Sequence, residues 1–148
     1  MKKALKYISA YGLWLINLGL SAWLFYISRT AVIALLAVFY QTGDYQFSKT
    51  VNLIDRVVTI VLGLSWLVFS VFTEEAYRSH ALKKDLLKQF AKFTGPLLLC
   101  IFVVDLILFW LQGIGGDAWM RWFVLAIELL SGLGLYVFGR IPSTKKTA

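Results

Sequence analysis

The sequence predicts an all-α polytopic membrane protein: four transmembrane helices in a bundle, with an amphipathic surface helix between two hairpins. Three observations carry that prediction. Of the 148 residues, 59% are hydrophobic and only 16% are charged, against about 45–50% apolar and about 25% charged in a soluble domain. The apolar excess falls in blocks of roughly 20 residues, the length a helix needs to cross about 30 Å of hydrocarbon. The one long charged stretch, EEAYRSHALKKDLLKQFAKF from Glu74 to Phe93, divides two apolar halves, each long enough to cross twice. A single transmembrane domain over 1–148 leaves no room for a separate soluble one.

Lys2, Lys3 and Lys6 precede the first apolar run. The run outlasts a signal-peptide core and no A-x-A cleavage pattern follows it, so it reads as an uncleaved first span, about 7–28. Arg29 and Thr30 then interrupt, and the ten residues AVIALLAVFY (31–40) follow. As helix they reach only about 15 Å, too short to span. They extend the first helix beyond the bilayer or, after a break at 28–30, lie along the surface. Residues 41–52 read as a polar connection, and the second span is about 53–72. Asp55 and Arg56 fall in its first turn, where Arg56 can snorkel to the interface.

Within the charged stretch, Leu82, Leu86, Phe90 and Phe93 recur every three or four residues, while Lys83, Lys84, Lys88 and Lys92 lie off that stripe. The pattern predicts an amphipathic surface helix over about 75–92, with the four lysines against anionic phospholipid headgroups. Gly95-Pro96 marks the start of span three (about 94–111), where a proline in the first turn costs no hydrogen bond. The glycine-rich segment 112–117 is a turn, and span four is about 118–138.

Orientation follows from the basic residues flanking the spans. Eleven Lys and Arg residues fall at the termini and in the central stretch, and four (Arg29, Lys49, Arg56, Arg121) on the opposite side. Both termini are therefore expected in the cytoplasm, with the protein in a cytoplasmic (inner) membrane. The formal charge of +7 would suggest nucleic acid for a soluble protein, but these cations flank apolar blocks, and no nucleic-acid partner is expected.

The candidate site is a set of polar residues inside the spans. Asp105 and Glu128 each lie about ten residues from the ends of spans three and four, so short-turn antiparallel packing brings the two carboxyl groups together near the midplane. Asn17, central in span one, is expected at similar depth. A lone charge there costs at least about 2.5–3.5 kcal/mol, so the pair is expected to share a proton or to draw on a cation. Arg121, two turns before Glu128 on the same helical face, is too far for direct contact unless it bends inward, and Arg56, entering on the second span from the same outer side, could reach part of the way. Small and polar residues on all four spans (Asn17, Ser21 and Ser28; Thr59, Gly63 and Ser70; Asp105; Ser131, Gly132 and Gly139) are expected to face one common interior, with Trp, Phe and Leu toward lipid.

Cys100 is the sole cysteine and His80 the sole histidine, so no disulfide, CxxC centre or thiolate metal cage can form within one chain. No metal, cofactor or catalytic constellation is expected. The composition leads to a non-catalytic accessory or scaffold subunit, with a membrane-protein partner or a homo-oligomer. The acid pair sustains a second expectation, a small proton- or cation-coupled transporter using Asp105 and Glu128. A membrane-embedded enzyme acting on lipid is the third.

Overall fold

The computed structural model describes residues 2–39, 45–80, 85–112 and 118–141. They form four helices: α1 (Lys2–Phe39), α2 (Tyr45–His80), α3 (Leu86–Gln112) and α4 (Ala118–Arg140). Each contains a stretch long and apolar enough to cross a membrane, and together they make the expected all-α four-helix bundle. Apolar side chains such as Phe72, Trp110 and Trp119 stand exposed around it, as they must where the surrounding solvent is hydrocarbon rather than water.

The contacts fix the register. Trp14 meets Ser70, Ser21 meets Trp66 and Arg29 meets Asp55, so α1 and α2 are antiparallel. Asn17 meets Thr94, and α1 and α3 run together. Gly139 lies on Lys92, Gly95 on Tyr136, and Phe109 against Trp122, so α3 and α4 are antiparallel. One end of the bundle thus carries Lys2, Arg140 and the α2–α3 connection. The far end carries the two hairpin connections.

α3 is the central helix. Ile27 and Ala31 of α1 pack with Leu97, Ile101 and Leu108 of α3 in the main hydrophobic core. Among the described residues α2 leans on α1 and only lightly on α3, and α4 packs on α3 alone. The single interior expected of four converging polar stripes is therefore replaced by successive pairwise interfaces.

Of the two readings of the segment after Arg29, the extension of the first helix holds for 31–39: α1 continues through Arg29 and Thr30 to Phe39, Asp55 neutralises the Arg29 charge, and the Thr30 hydroxyl bonds back to the Tyr26 carbonyl. Three local expectations are corrected. The second helix begins at Tyr45 rather than 53. The surface helix over 75–92 does not exist as a unit, since 75–80 complete α2 and 86–92 begin α3. Its apolar stripe is absorbed into the bundle, with Phe93 packing between Phe69 and Tyr77. Pro96 consequently lies inside α3 rather than in its first turn.

Glycine sets the α3–α4 spacing. A Cβ on Gly95 would lie 2.6 Å from the Tyr136 nitrogen, and one on Gly139 2.9 Å from the Lys92 nitrogen. Backbones approach this closely only where the side chain is a hydrogen atom. Gly95→Ala should therefore destabilise the protein by about 1–3 kcal/mol in thermal unfolding in detergent, by overpacking. Gly134→Ala, with nothing within 4 Å of the added carbon, should stay within about 1 kcal/mol of the parent.

Candidate functional site

The polar residues inside the bundle fall into three clusters at three different interfaces. The first joins α1, α2 and α3. Asn17 is completely buried; its side-chain amide donates to the Tyr77 hydroxyl and accepts from the Thr94 hydroxyl at 2.8 Å. Tyr77 reaches it because side chains on a helix lean toward the N-terminus, which on α2 is toward the far end. Asn17 is thus level with Thr94 at the start of the third span. It is not level with Asp105, eleven residues or about 16 Å further along α3. The expected common depth fails because α1 extends further past the terminal end of the bundle than its hydropathy alone implies.

The second cluster joins α1 to α2. The Arg29 guanidinium grips Asp55 with both arms, Nε to Oδ1 and Nη2 to Oδ2, each at 2.7 Å. Such a fork fixes orientation as well as charge. Along the same seam the Trp66 indole donates to the Ser21 hydroxyl at 3.1 Å, and the Trp14 indole to the Ser70 carbonyl at 3.3 Å. These two tryptophans face a neighbouring helix rather than lipid. Arg56, one residue from Asp55, is exposed on α2, a helix without contact to α4 among the described residues. It is no partner for the acid pair.

The third cluster holds Asp105 and Glu128 between α3 and α4. The two side chains interact directly, and the Arg121 charge acts on Asp105. The antiparallel pairing expected from the short turn is therefore realised. Glu128 Oε2 is buried and has no hydrogen-bond partner among the described residues. A buried acceptor so placed calls for a donor, and one proton shared by the two carboxyl groups is a donor the pair itself can supply. Beside the pair, toward the far end, Asp105 and Arg121 line a half-open cavity of about 370 Å³ together with Leu108, Phe109, Val124 and Leu125.

Lys83 and Lys84 lie outside the described residues. Lys88 donates to the Ile141 carbonyl at 3.2 Å, and Lys92 is exposed on α3. His80 shares its Nδ1 with Ser79 and the Ala76 carbonyl in a local turn-end contact. No group of three His, Cys, Asp or Glu side chains among the described residues could hold a metal ion. Sequence reasoning missed Tyr77, Thr94 and Arg29 as polar partners. Arg29 carried a usable signal, being a cation in an apolar run opposite Asp55, the sole acid of the span over 53–72 in the antiparallel neighbour. Tyr77 and Thr94 carried none, for their residue types are common at span ends. The chain matches no known protein family, no curated protein and no solved structure.

The Arg29–Asp55 fork should behave as a pair. Arg29→Asp or Asp55→Arg alone should lower the recovery of folded, monodisperse protein from membranes, and the double charge reversal should recover most of it. The acid cluster should respond to donors. Asp105→Asn supplies an amide facing Glu128 and should stay within about 1 kcal/mol of the parent, whereas Asp105→Leu strands the buried oxygen and should cost about 1–3 kcal/mol in thermal unfolding.

Proposed function

We propose that this multi-pass membrane protein is a non-catalytic accessory or scaffold subunit that docks to a partner membrane helix through the open side of α4. The observation that carries the reading is the one-sided packing of that helix: among the described residues α4 touches α3 alone. Its remaining surface presents Trp122, Phe123, Ile127 and Leu130. Ala126 and Gly134 lie two turns apart on it, both exposed, and Gly134 has open space before it. Small residues on an open face allow the close backbone approach by which membrane helices associate in the absence of a hydrophobic driving force. The separation of the three polar clusters supports the same reading. Each joins neighbouring helices at its own place in the bundle, so the intramembrane polar groups act as interhelical glue. The protein sits in an inner membrane with both termini cytoplasmic, and its basic end rests against anionic headgroups.

One observation favours a second reading, a proton- or cation-coupled carrier. A cavity lined by Asp105 and Arg121 lies beside the acid pair, on its far-end side. A carrier would need access to the pair from each end in turn. The lipid-acting enzyme finds no support among the described residues.

The two readings separate experimentally. A photo-crosslinking amino acid at Leu130 of α4 should capture one discrete membrane partner in living cells, or a second copy of the chain, and the same probe at Val61 on the exposed face of α2 should not. Reconstituted in proteoliposomes, the protein should carry no proton or cation flux. A flux that disappears in Asp105→Asn and Glu128→Gln, with folding intact, would establish the carrier instead.

A further inference from the structure

The molecule has a second cavity, larger than the one beside the acid pair and built differently. Its volume is about 410 Å³; α1 forms its floor and α2 and α3 its walls. Leu24, Leu62, Phe69 and Leu97 make it apolar. It opens sideways, because α2 and α3 meet mainly near Phe93, whose ring lies 6.4 Å from that of Phe69 and 6.1 Å from that of Tyr77. Lys92 lines its terminal end, and Pro96, one turn further on the same face of α3, lines it too.

We propose that this groove is a phospholipid site, with one acyl chain lying along it and an anionic headgroup held at Lys92. The inference is independent of the accessory role and goes beyond the general attraction of a basic protein end for headgroups.

Size decides the class of occupant. From Lys92 to Cys100 the lining runs eight residues, about 12 Å along α3, within the roughly 15 Å depth of one leaflet's hydrocarbon. A helix is about 10 Å across, and a single extended acyl chain needs no such width.

Chemistry at the mouth decides the headgroup. Lys88 is committed to the Ile141 carbonyl, and the Arg140 guanidinium lies over the Tyr136 ring, 4.6 Å from its centroid. Lys92 has neither a hydrogen bond nor an ion pair among the described residues, and its ammonium is placed to meet a phosphate. Pro96 has no N–H, so the Lys92 carbonyl lacks its helical donor on the groove face. A hydroxyl of a glycerol-type headgroup can donate to that oxygen while the ammonium holds the phosphate. The acyl chain adds the apolar contact that a free headgroup lacks.

Native mass spectrometry of the delipidated full-length chain tests this, by titration with phosphatidylglycerol, phosphatidylcholine and soluble glycerol phosphate. One phosphatidylglycerol should be retained per chain; phosphatidylcholine, whose own quaternary ammonium cancels the phosphate charge and which has no hydroxyl for the Lys92 carbonyl, should bind about tenfold more weakly, and glycerol phosphate, without an acyl chain, not at all. Lys92→Gln should reduce phosphatidylglycerol to the phosphatidylcholine level. Ser65→Phe, which fills the groove from its α2 wall, should weaken both lipids. A second readout uses Cys100, a free and exposed thiol on the groove. Phosphatidylglycerol should slow its alkylation by a maleimide in the parent but not in Lys92→Gln, which decides the matter even if Ser65→Phe fails to fold. Equal retention of the two lipids by the parent, undiminished phosphatidylglycerol binding and Cys100 protection in Lys92→Gln, or glycerol phosphate binding as tight as the lipid's would each overturn the proposal.

Discussion

A polar side chain inside a bilayer has no water to turn to, so it must find its partner within the protein. That constraint arranges this bundle. Asn17 is tolerated because Tyr77 and Thr94 close around it, Arg29 because Asp55 faces it on the next helix, and Glu128 because Asp105 lies across the interface. Each pairing also sets a register. A helix with a uniformly apolar surface can slide or rotate against its neighbour at little cost, whereas a forked guanidinium–carboxylate contact admits one alignment. The polar groups therefore specify which helices touch and at what height, and the apolar packing follows.

Two kinds of interface result. α1 and α2 are joined by directional bonds spaced along the seam, at Trp14, Ser21 and Arg29. α3 and α4 are joined by close approach, with glycine at Gly95 and Gly139 where backbone meets backbone and the acid pair about ten residues further toward the far end. The first kind tolerates separation elsewhere, because bonds at a few points hold the helices while side chains fill the rest. The second demands contact where the glycines lie and gives way, beyond the acid pair, to the cavity lined by Asp105 and Arg121. The lipid-width groove accordingly lies on the α2 side of α3 and the closest backbone approach on the α4 side.

Hydropathy and length made the number of spans legible, because hydrocarbon thickness fixes helix length and nothing in the chain competes with that signal. The Asp105–Glu128 meeting was legible too, since a short turn leaves antiparallel neighbours little freedom of register. What could not be read was the offset of α1. Its apolar run is longer than one bilayer crossing, so composition allows Asn17 anywhere from the middle of the slab to its edge; the Thr94 contact chooses the edge. The apolar stripe through Leu86, Phe90 and Phe93 was misread for a related reason. Amphipathic spacing reports that one face of a helix is covered, and a membrane surface and the flank of α2 cover it equally well. Arg29 left a break open beside the continuous reading for want of its partner, for a charge ends a span only when it stands alone.

α4 is the element whose position depends on the fewest neighbours. A helix held on one side only gains its fixed place from close packing and from the acid pair, and both lie on the same strip of its surface. Removing the pair would leave the glycine contacts, which allow rotation about the helix axis more readily than a directional bond does. Asp105 and Glu128 therefore determine which face α4 turns outward, and with it whether Ala126 and Gly134 stand ready to meet another helix. Under the proposed docking role the acids would need to touch no partner to control assembly. They would act from inside, by fixing the orientation of the proposed docking surface.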